Sequence, residues 1–253
     1  MLRNVRVMIR ATLALALTFA LAGCGSSDDD VLVSAATSLK SAFTTYGEQF
    51  DAANAQFSFA GSDELAAQIR SGAKPDVFAA ANTKLPDQLY KEDLVEKPVA
   101  FAANRLVLAV PADGTKVSSI EDLVTPGVKL AIGSATVPIG SYTRKVLARL
   151  DPAERKAILA NVRSNEPDVG GISAKLTQGA VDAGFLYVTD VQATNGRLRA
   201  IELPAKLQPE VAYGVAIVKG GKNHEAAQDF VDGLLKGDGA AALKAAGFEP
   251  PPT

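Results

Sequence analysis

The sequence predicts an α/β fold with two lobes. Short apolar runs alternate with segments whose apolar residues repeat at the helical period, a pattern typical of sheets covered by helices on both faces. The chain has 253 residues, enough for two separate hydrophobic cores. A Pro-Ala-Asp-Gly break at residues 111–114 follows an apolar strand and indicates a crossover between lobes. Because buried parallel strands have continuous apolar runs, we expect mainly parallel sheets.

The predicted first lobe comprises residues 31–109 and 213–249. A strand at residues 31–33 leads through small residues into a helix, whose apolar residues from Leu39 to Phe50 form one stripe at the 3.6 period. The other predicted elements of this lobe are strands at 57–60, 75–79, 106–110 and 211–218, and helices at 63–70, 85–91, 223–235 and 240–246.

The predicted second lobe comprises residues 110–212. Asp151 is a predicted N-cap, because a proline follows it at the first helical position. The other elements are strands at 129–132 and 183–187, a loop at 137–140, and helices at 120–124 and 142–150. Residues 168–171 lead into a further helix that stops at Gly179, and the strand at 183–187 is followed by a short helix that ends at 195–196.

The N-terminus has the features of a bacterial lipoprotein signal. Three arginines precede an uncharged run at residues 11–22, which is too short to span a bilayer as a mature helix. The run ends in Leu-Ala-Gly followed by Cys24, the pattern of a lipoprotein cleavage site. We therefore expect residues 1–23 to be a signal peptide, Cys24 to be lipidated, and residues 24–30 to be a polar tether.

Charge and residue types exclude several classes of function. The net charge is −2, and loss of residues 1–23 removes three arginines, which leaves 23 basic and 28 acidic side chains and a charge of −5. Such a chain has no basic surface for nucleic acid. His224 is the only histidine and Cys24 the only cysteine, so no nucleophile and base can be paired from them. We expect a binding protein rather than an enzyme, with a surface-anchored hydrolase as the alternative.

Two serines lie at strand-to-helix junctions, Ser38 and Ser62. A helix start presents unpaired backbone N–H groups and the positive end of the helix dipole, so such junctions favour anions. The alternative for Ser38 is that its hydroxyl only caps its own helix.

The chain resembles the periplasmic molybdate-binding proteins of ABC importers across residues 31–249. Five segments carry the resemblance in the family's order and spacing: 35–39 (AATSL), 61–69 (GSDELAAQI), 75–80 (PDVFAA), 137–142 (VPIGSY) and 182–190 (DAGFLYVTD).

The resemblance implies a two-lobed periplasmic-binding-protein fold of type II, with a tetrahedral oxyanion held by neutral donors in the cleft between lobes. Ser38 and Ser62 would each donate from the hydroxyl and the backbone N–H. Ile139 and Val169 would donate backbone N–H groups, and Tyr187 its hydroxyl. The ligand would be molybdate or tungstate, so neither a cofactor nor a metal cation is expected.

The resemblance also implies a partner and a location. The protein would deliver its ligand to the membrane permease and ATPase of an ABC importer, as a monomer anchored outside the cytoplasm through Cys24. Two departures from the family leave phosphate or sulfate open as alternative ligands. Ile139 replaces a small residue, and Asp63 replaces a frequent serine; its carboxylate should point outward, because it would repel a dianion.

Overall fold

The computed structural model describes residues 30–252, so the predicted signal peptide and Cys24 lie outside the described residues. The strands are β1 Asp30–Ala36, β2 Asn54–Ala60, β3 Val77–Ala80, β4 Val99–Asn104, β5 Leu106–Pro111, β6 Leu130–Gly133, β7 Val162–Glu166, β8 Ala183–Tyr187, β9 Leu198–Glu202 and β10 Val211–Ile217. The α-helices are α1 Lys40–Gln49, α2 Ser62–Arg70, α3 Lys84–Lys91, α4 Pro138–Leu147, α5 Pro152–Ala160, α6 Val169–Thr177, α7 Val188–Gln192, α8 His224–Lys236 and α9 Asp238–Ala245. Short 3-10 helices lie at Thr37–Leu39, Glu121–Val124 and Ala205–Leu207.

The strands form two five-stranded sheets, in the orders β2-β1-β3-β10-β4 and β7-β6-β8-β5-β9. Within each sheet, two neighbouring pairs are parallel and two are antiparallel. The α/β class and the two lobes are as predicted, but the sheets are mixed rather than mainly parallel. The antiparallel pairs all involve β5 and β10, the strands that enter a sheet directly after the chain has crossed between lobes.

The chain crosses between lobes earlier than the sequence predicts. β5 pairs with β8 and β9 of the second sheet, although residues 106–110 were expected in the first lobe. Only Arg105 separates β4 from β5, so the crossover is an extended link without a turn, and no glycine or proline marks it. At the N-terminal boundary, Asp30 belongs to β1 and pairs with Asn54, so the predicted tether ends before it.

Three strands, β4, β7 and β9, were not predicted, and all three lie at sheet edges. An edge strand is partly exposed, so it needs no continuous apolar run. The sequence of β7, VRSNE, has no buried residue.

The predicted apolar stripe of α1 packs into the core of the first lobe. Phe43 and Tyr46 contact the ring of Phe230 from α8, with ring centroids 5.6 and 4.7 Å apart. The last helix, α9, packs on α1, so the C-terminal helices close the first lobe as expected. In the part of the chain that the structure describes, no helix has the length and hydropathy needed to cross a membrane.

Candidate anion-binding site

A small cavity of about 20 Å³ lies between the two lobes, and all five predicted ligand residues line it: Ser38, Ser62, Ile139, Val169 and Tyr187. Each of these residues is at most 8% exposed. A single water needs roughly 10–15 Å³ of such space, whereas pockets for organic ligands measure about 300–1,000 Å³. The cavity therefore has the size for one small ion.

Ser38 lies in the 3-10 turn Thr37–Leu39 and does not cap α1. The N-cap of α1 is Leu39, and no side chain caps that helix. Instead, the Ser38 hydroxyl oxygen accepts a hydrogen bond from the hydroxyl of Tyr213 at 3.0 Å. The capping alternative for Ser38 is therefore wrong, because the hydroxyl turns into the protein core beside the cavity.

Ser62 is the first residue of α2, and Gly61 is the N-cap. The Ser62 hydroxyl oxygen accepts a hydrogen bond from the backbone N–H of Ala81 at 3.1 Å, across the sheet end from α2. Because the backbone donor leaves the serine its own hydrogen, the Ser62 hydroxyl is left to donate to a ligand.

Ile139 is the second residue of α4, which begins at Pro138, so the predicted loop at 137–140 is the first turn of this helix. The first four N–H groups of an α-helix have no partner within it, so the Ile139 N–H can serve a ligand. The branched side chain fits because its neighbour in β6 is Gly133, where a Cβ would lie 2.6 Å from Ile139 Cγ2. The larger residue is therefore accommodated behind the cavity wall.

Gly140 lets α4 begin close to the end of β6. A Cβ at this position would lie 1.8 Å from the carbonyl oxygen of Ser134, which no side-chain movement can relieve. The glycine thus fixes where the first turn of α4, and with it the Ile139 N–H, meets the cavity.

Val169 is the first residue of α6, so its N–H also lacks a helical partner. Asp168 caps this helix by accepting a hydrogen bond from Gly171 N–H at 3.0 Å. The second carboxylate oxygen of Asp168 accepts a hydrogen bond from the hydroxyl of Thr37 at 2.9 Å.

Tyr187 ends β8, and its hydroxyl oxygen is buried with no hydrogen-bond partner within residues 30–252. Such a group costs about 1–3 kcal/mol when it is left unpaired. Burial raises the pKa of Tyr187 well above its usual value, and the neighbouring tyrosines and Asp190 act in the same direction. The hydroxyl therefore remains a neutral donor, and a ligand in the cavity would satisfy it.

The donors converge from both lobes. The starts of α2, α4 and α6 and the turn before α1 all border the cavity. Each α-helix start carries roughly half a positive charge. The arrangement therefore favours an anion without any lysine or arginine in the cavity wall.

Of the carboxylates of Asp63 and Asp168, which flank the cavity, only that of Asp168 faces it. Asp63 is half-buried and is not part of the cavity wall, which agrees with its expected outward direction. Asp168 does line the cavity, and both of its oxygens accept hydrogen bonds from the protein. Among residues 30–252, no three His, Cys, Asp or Glu side chains are grouped to hold a metal cation.

A wider groove of about 820 Å³ adjoins the small cavity and shares Thr37, Ser38 and Val169 with it. Its walls come from both lobes and include α7 and the end of α9. The shared residues make this groove the continuation of the cleft toward solvent, too wide to hold a small ion by itself.

Sequence reasoning missed three residues of the site. Thr37 and Asp168 had signals, since Thr37 precedes Ser38 in the same motif and Asp168 precedes a helix, where aspartate is a favoured N-cap. Tyr213 had no such signal, because no local pattern pairs it with Ser38.

Comparison with known proteins places the chain in a family. The family of bacterial extracellular solute-binding proteins matches residues 31–249. The molybdate-binding protein ModA of Mycobacterium tuberculosis is 34% identical over 227 residues, which cover 87% of this chain and 85% of the relative. ModA of Escherichia coli is 30% identical over 241 residues, covering 90% and 92%.

A solved structure agrees on the fold. The periplasmic molybdate-binding protein of Azotobacter vinelandii superposes with a TM-score of 0.78 at 22% identity, covering 88% of this chain and all of that one. The two-lobed fold of periplasmic binding proteins, expected from the sequence, is thereby confirmed. The chain belongs to the family of bacterial extracellular solute-binding proteins, and both molybdate-binding relatives are at least 30% identical to it.

Proposed function

We propose that this protein captures molybdate or tungstate outside the cytoplasm and delivers it to an ABC importer. The observation that carries the proposal is the cavity: four chain segments at helix starts and the unpaired hydroxyl of Tyr187 border one small, buried space. The relatives named molybdate-binding proteins support the choice of oxyanion. Membership in a solute-binding family confirms a binding protein rather than an enzyme.

The donor set suits a fully ionised tetrahedral dianion. Ser38 and Ser62 would donate hydroxyl and backbone hydrogens from the first lobe, and Ile139, Val169 and Tyr187 would donate from the second. Hydrogen bonds to a charged group are roughly twice as strong as neutral ones. Because the donors belong to fixed helix starts, little reorganisation is needed when the anion binds.

The ligand is bound as an oxyanion, so molybdenum needs no protein ligand of its own. The side chains in the cavity wall are hydroxyl, aliphatic and aromatic groups, with Asp168 as the one carboxylate. Both Asp168 oxygens are engaged by Thr37 and Gly171, and this engagement limits the repulsion between Asp168 and a dianion.

Calorimetric titration with molybdate, tungstate, sulfate and phosphate tests the proposal. We expect tight one-to-one binding of molybdate and tungstate and much weaker binding of the other two anions. Saturating molybdate should also raise the melting temperature, because a ligand that binds only the folded state stabilises it. Tighter binding of sulfate or phosphate than of molybdate would overturn the assignment of the ligand, and no binding of any oxyanion would overturn the assignment of the site.

The proposal extends to residues outside the described part of the chain. Residues 1–23 would direct export, Cys24 would carry the lipid, and the polar residues before β1 would tether the domain to the membrane. The monomeric protein would then hold its anion close to the importer's permease, which works with its ATPase.

A further inference from the structure

Tyr213 lies directly behind the candidate site and has no role in the proposed binding scheme. Its side chain is fully buried in β10, and its hydroxyl lies 3.0 Å from the hydroxyl oxygen of Ser38. Tyr213 is not part of the cavity wall. Its hydroxyl can therefore act on a ligand through Ser38, while its ring packs against that of Tyr187, with centroids 5.7 Å apart.

The direction of the hydrogen bond between Tyr213 and Ser38 depends on Asn104, whose side chain is oriented by the backbone N–H of Arg105 at the lobe crossover. The side-chain oxygen of Asn104 accepts a hydrogen bond from the Arg105 N–H at 2.9 Å, which fixes how the amide is turned. The amide nitrogen then faces Thr189, whose hydroxyl oxygen it contacts at 2.8 Å.

The amide of Asn104 also reaches Tyr213. Burial raises the pKa of Tyr213 far above its usual value, and its contacts with Ser38 and Asn104 act in the opposite direction. An amide nitrogen can only donate. The nearby Asn104 amide nitrogen therefore offers no acceptor, and the Tyr213 hydroxyl donates its own hydrogen to Ser38.

The hydrogen of the Ser38 hydroxyl therefore points in a fixed direction. Its oxygen accepts from Tyr213, so its hydrogen is left to donate into the cavity. Ser62 has the same direction, because its oxygen accepts from a backbone N–H. The carboxylate of Asp168, the one carboxylate in the cavity wall, already accepts two hydrogen bonds.

We propose that Tyr213 is a specificity-determining positioning residue, which holds Ser38 as a donor and thereby makes the site reject oxyanions that carry a proton. The inference rests on the proposed oxyanion-binding function. A protonated anion must place its O–H against an acceptor, and in this cavity the hydroxyl groups present hydrogens instead. Near neutral pH, phosphate carries one or two protons, whereas molybdate and sulfate carry none. Sulfate therefore serves as an unprotonated tetrahedral control for phosphate.

The test is calorimetry on Tyr213→Phe with molybdate, sulfate and phosphate near neutral pH. Without the phenol hydroxyl, Ser38 is free to rotate and to accept a hydrogen bond. We expect the Kd for molybdate to rise about 3- to 10-fold, the scale of one neutral hydrogen bond. The Kd for phosphate should stay constant or fall, so the preference for molybdate over phosphate drops by at least that factor, while the preference over sulfate is unchanged.

Tyr46→Phe is the matched control. It also removes a buried phenol hydroxyl of the first lobe, one that donates to the Phe230 carbonyl at 3.1 Å, far from the cavity. This variant should be less stable than the wild type but should keep the wild-type preference for molybdate over phosphate. If Tyr213→Phe weakens the binding of all three anions equally, or changes no Kd, Tyr213 is only a structural residue and the proposal is wrong.

A double-mutant cycle tests the route through Ser38. In the Ser38→Ala background, Tyr213→Phe should no longer change the ratio of phosphate to molybdate affinity, because the hydroxyl it orients is gone. A ratio that still changes would overturn the route.

If Tyr213→Phe does not fold, Asn104→Asp replaces it. The new carboxylate oxygen accepts the Tyr213 hydrogen and turns it away from Ser38, so the same loss of preference is expected. An unchanged preference would overturn the proposal. Binding of molybdate to the wild-type protein tests the proposed function independently of these variants. A failure of the proposal for Tyr213 can therefore be told apart from a failure of the proposed function.

Discussion

The hydroxyl of Thr37 donates a hydrogen bond to Asp168 at 2.9 Å and joins the two lobes at the edge of the candidate site. Thr37 belongs to the turn after β1, and Asp168 is the N-cap of α6 in the other lobe. The lobes also touch at Gly61, where a Cβ would lie 2.6 Å from the Pro167 carbonyl oxygen. The closed cleft is thus held by direct contacts between lobes, in addition to any ligand.

Thr37→Val should weaken oxyanion binding about 3- to 10-fold, the scale of one net hydrogen bond. The substitution removes a bond that exists only when the cleft is closed, so it shifts the lobes toward the open state. It also leaves the Asp168 carboxylate with one donor fewer beside the anion. Stopped-flow binding should show the loss mainly as faster dissociation.

Thr177→Val is a control for this change. The Thr177 hydroxyl bonds only to carbonyls of its own helix, Ser173 and Ala174, and does not join the lobes. The Thr177→Val variant should bind the oxyanion with the affinity and dissociation rate of the wild type. Equal dissociation rates for Thr37→Val and the wild type would show that the bond between lobes does not support closure.

Gly61→Ala should weaken binding more than tenfold while the ligand-free protein keeps its stability. The backbone of Gly61, with φ of −59°, is accessible to alanine, so the substitution introduces no local strain. Its Cβ collides with the Pro167 carbonyl only when the lobes are closed. Small-angle scattering should show an open form that molybdate no longer compacts. Wild-type compaction would mean that the lobes can adjust at this contact.

Tyr187→Phe should separate binding from stability. A hydrogen bond to a charged ligand is worth about 1.5–3 kcal/mol, so losing it should raise the Kd roughly 10- to 100-fold. The ligand-free protein should be as stable as the wild type or more so, because the hydroxyl is buried without a partner in the described structure. The measurements are the Kd by calorimetry and the free energy of unfolding without ligand.

Ser38→Ala is the comparison for Tyr187→Phe. It should weaken binding to a similar extent, but it also leaves the buried Tyr213 hydroxyl without its acceptor, at a cost of about 1–3 kcal/mol in stability. If Tyr187→Phe binds normally and unfolds more easily, Tyr187 is a core residue and not a ligand.

The site was more predictable from the sequence than the network around it. Ser62 could be placed because it lies at a helix start, a local feature of the chain. Ile139 and Val169 were instead expected from the resemblance to the family's motifs, and Ile139 was expected in a loop. The bond between Tyr213 and Ser38 joins residues 175 positions apart, and that between Thr37 and Asp168 joins residues 131 apart. Such pairs depend on how the two sheets are threaded, which periodicity does not reveal.

The difference between local and long-range features also explains which parts of the fold could be predicted. Central strands such as β5 and β8 are buried on both faces and have continuous apolar sequences, so they were predicted. Whether β5 joins the first or the second sheet depends on its partners. The proline that ends β5 and the glycine that follows the strand suggested a crossover there, yet the chain crosses at Arg105.

Cys24→Ser should release the protein from the membrane without changing its folding. The predicted lipid acceptor precedes β1 in the sequence and belongs to the predicted tether, so we expect both lobes to fold as in the wild type. Detergent partitioning of cell extracts should move the variant from the detergent phase to the aqueous phase, while its affinity for molybdate is unchanged. A variant that remains fully in the detergent phase would contradict the lipid anchor.

Asp190 makes the site sensitive to pH. Burial, and to a lesser extent the charge of Asp168, raise the pKa of Asp190 to about 7, against the hydrogen bond it accepts from the Tyr187 N–H. The charge of Asp190 in turn contributes to the raised pKa values of Tyr187 and Tyr213, so it reaches the residues of the site. The carboxyl is therefore largely protonated below about pH 7 and negative above it.

Affinity for sulfate or molybdate should consequently fall as the pH rises through about 7, because an ionised Asp190 repels the dianion. By linkage, each unit by which the bound anion raises the pKa of Asp190 weakens binding tenfold on the alkaline side. The ligand-free protein should also lose stability between about pH 4 and about pH 7, since there the unfolded state binds fewer protons than the folded state. Asp190→Asn keeps an oxygen for the Tyr187 N–H and should flatten both profiles. Calorimetry from about pH 6 to about pH 8 decides the matter: a wild-type affinity that does not change with pH, or a slope that persists in Asp190→Asn, would show that this carboxyl does not act on the anion.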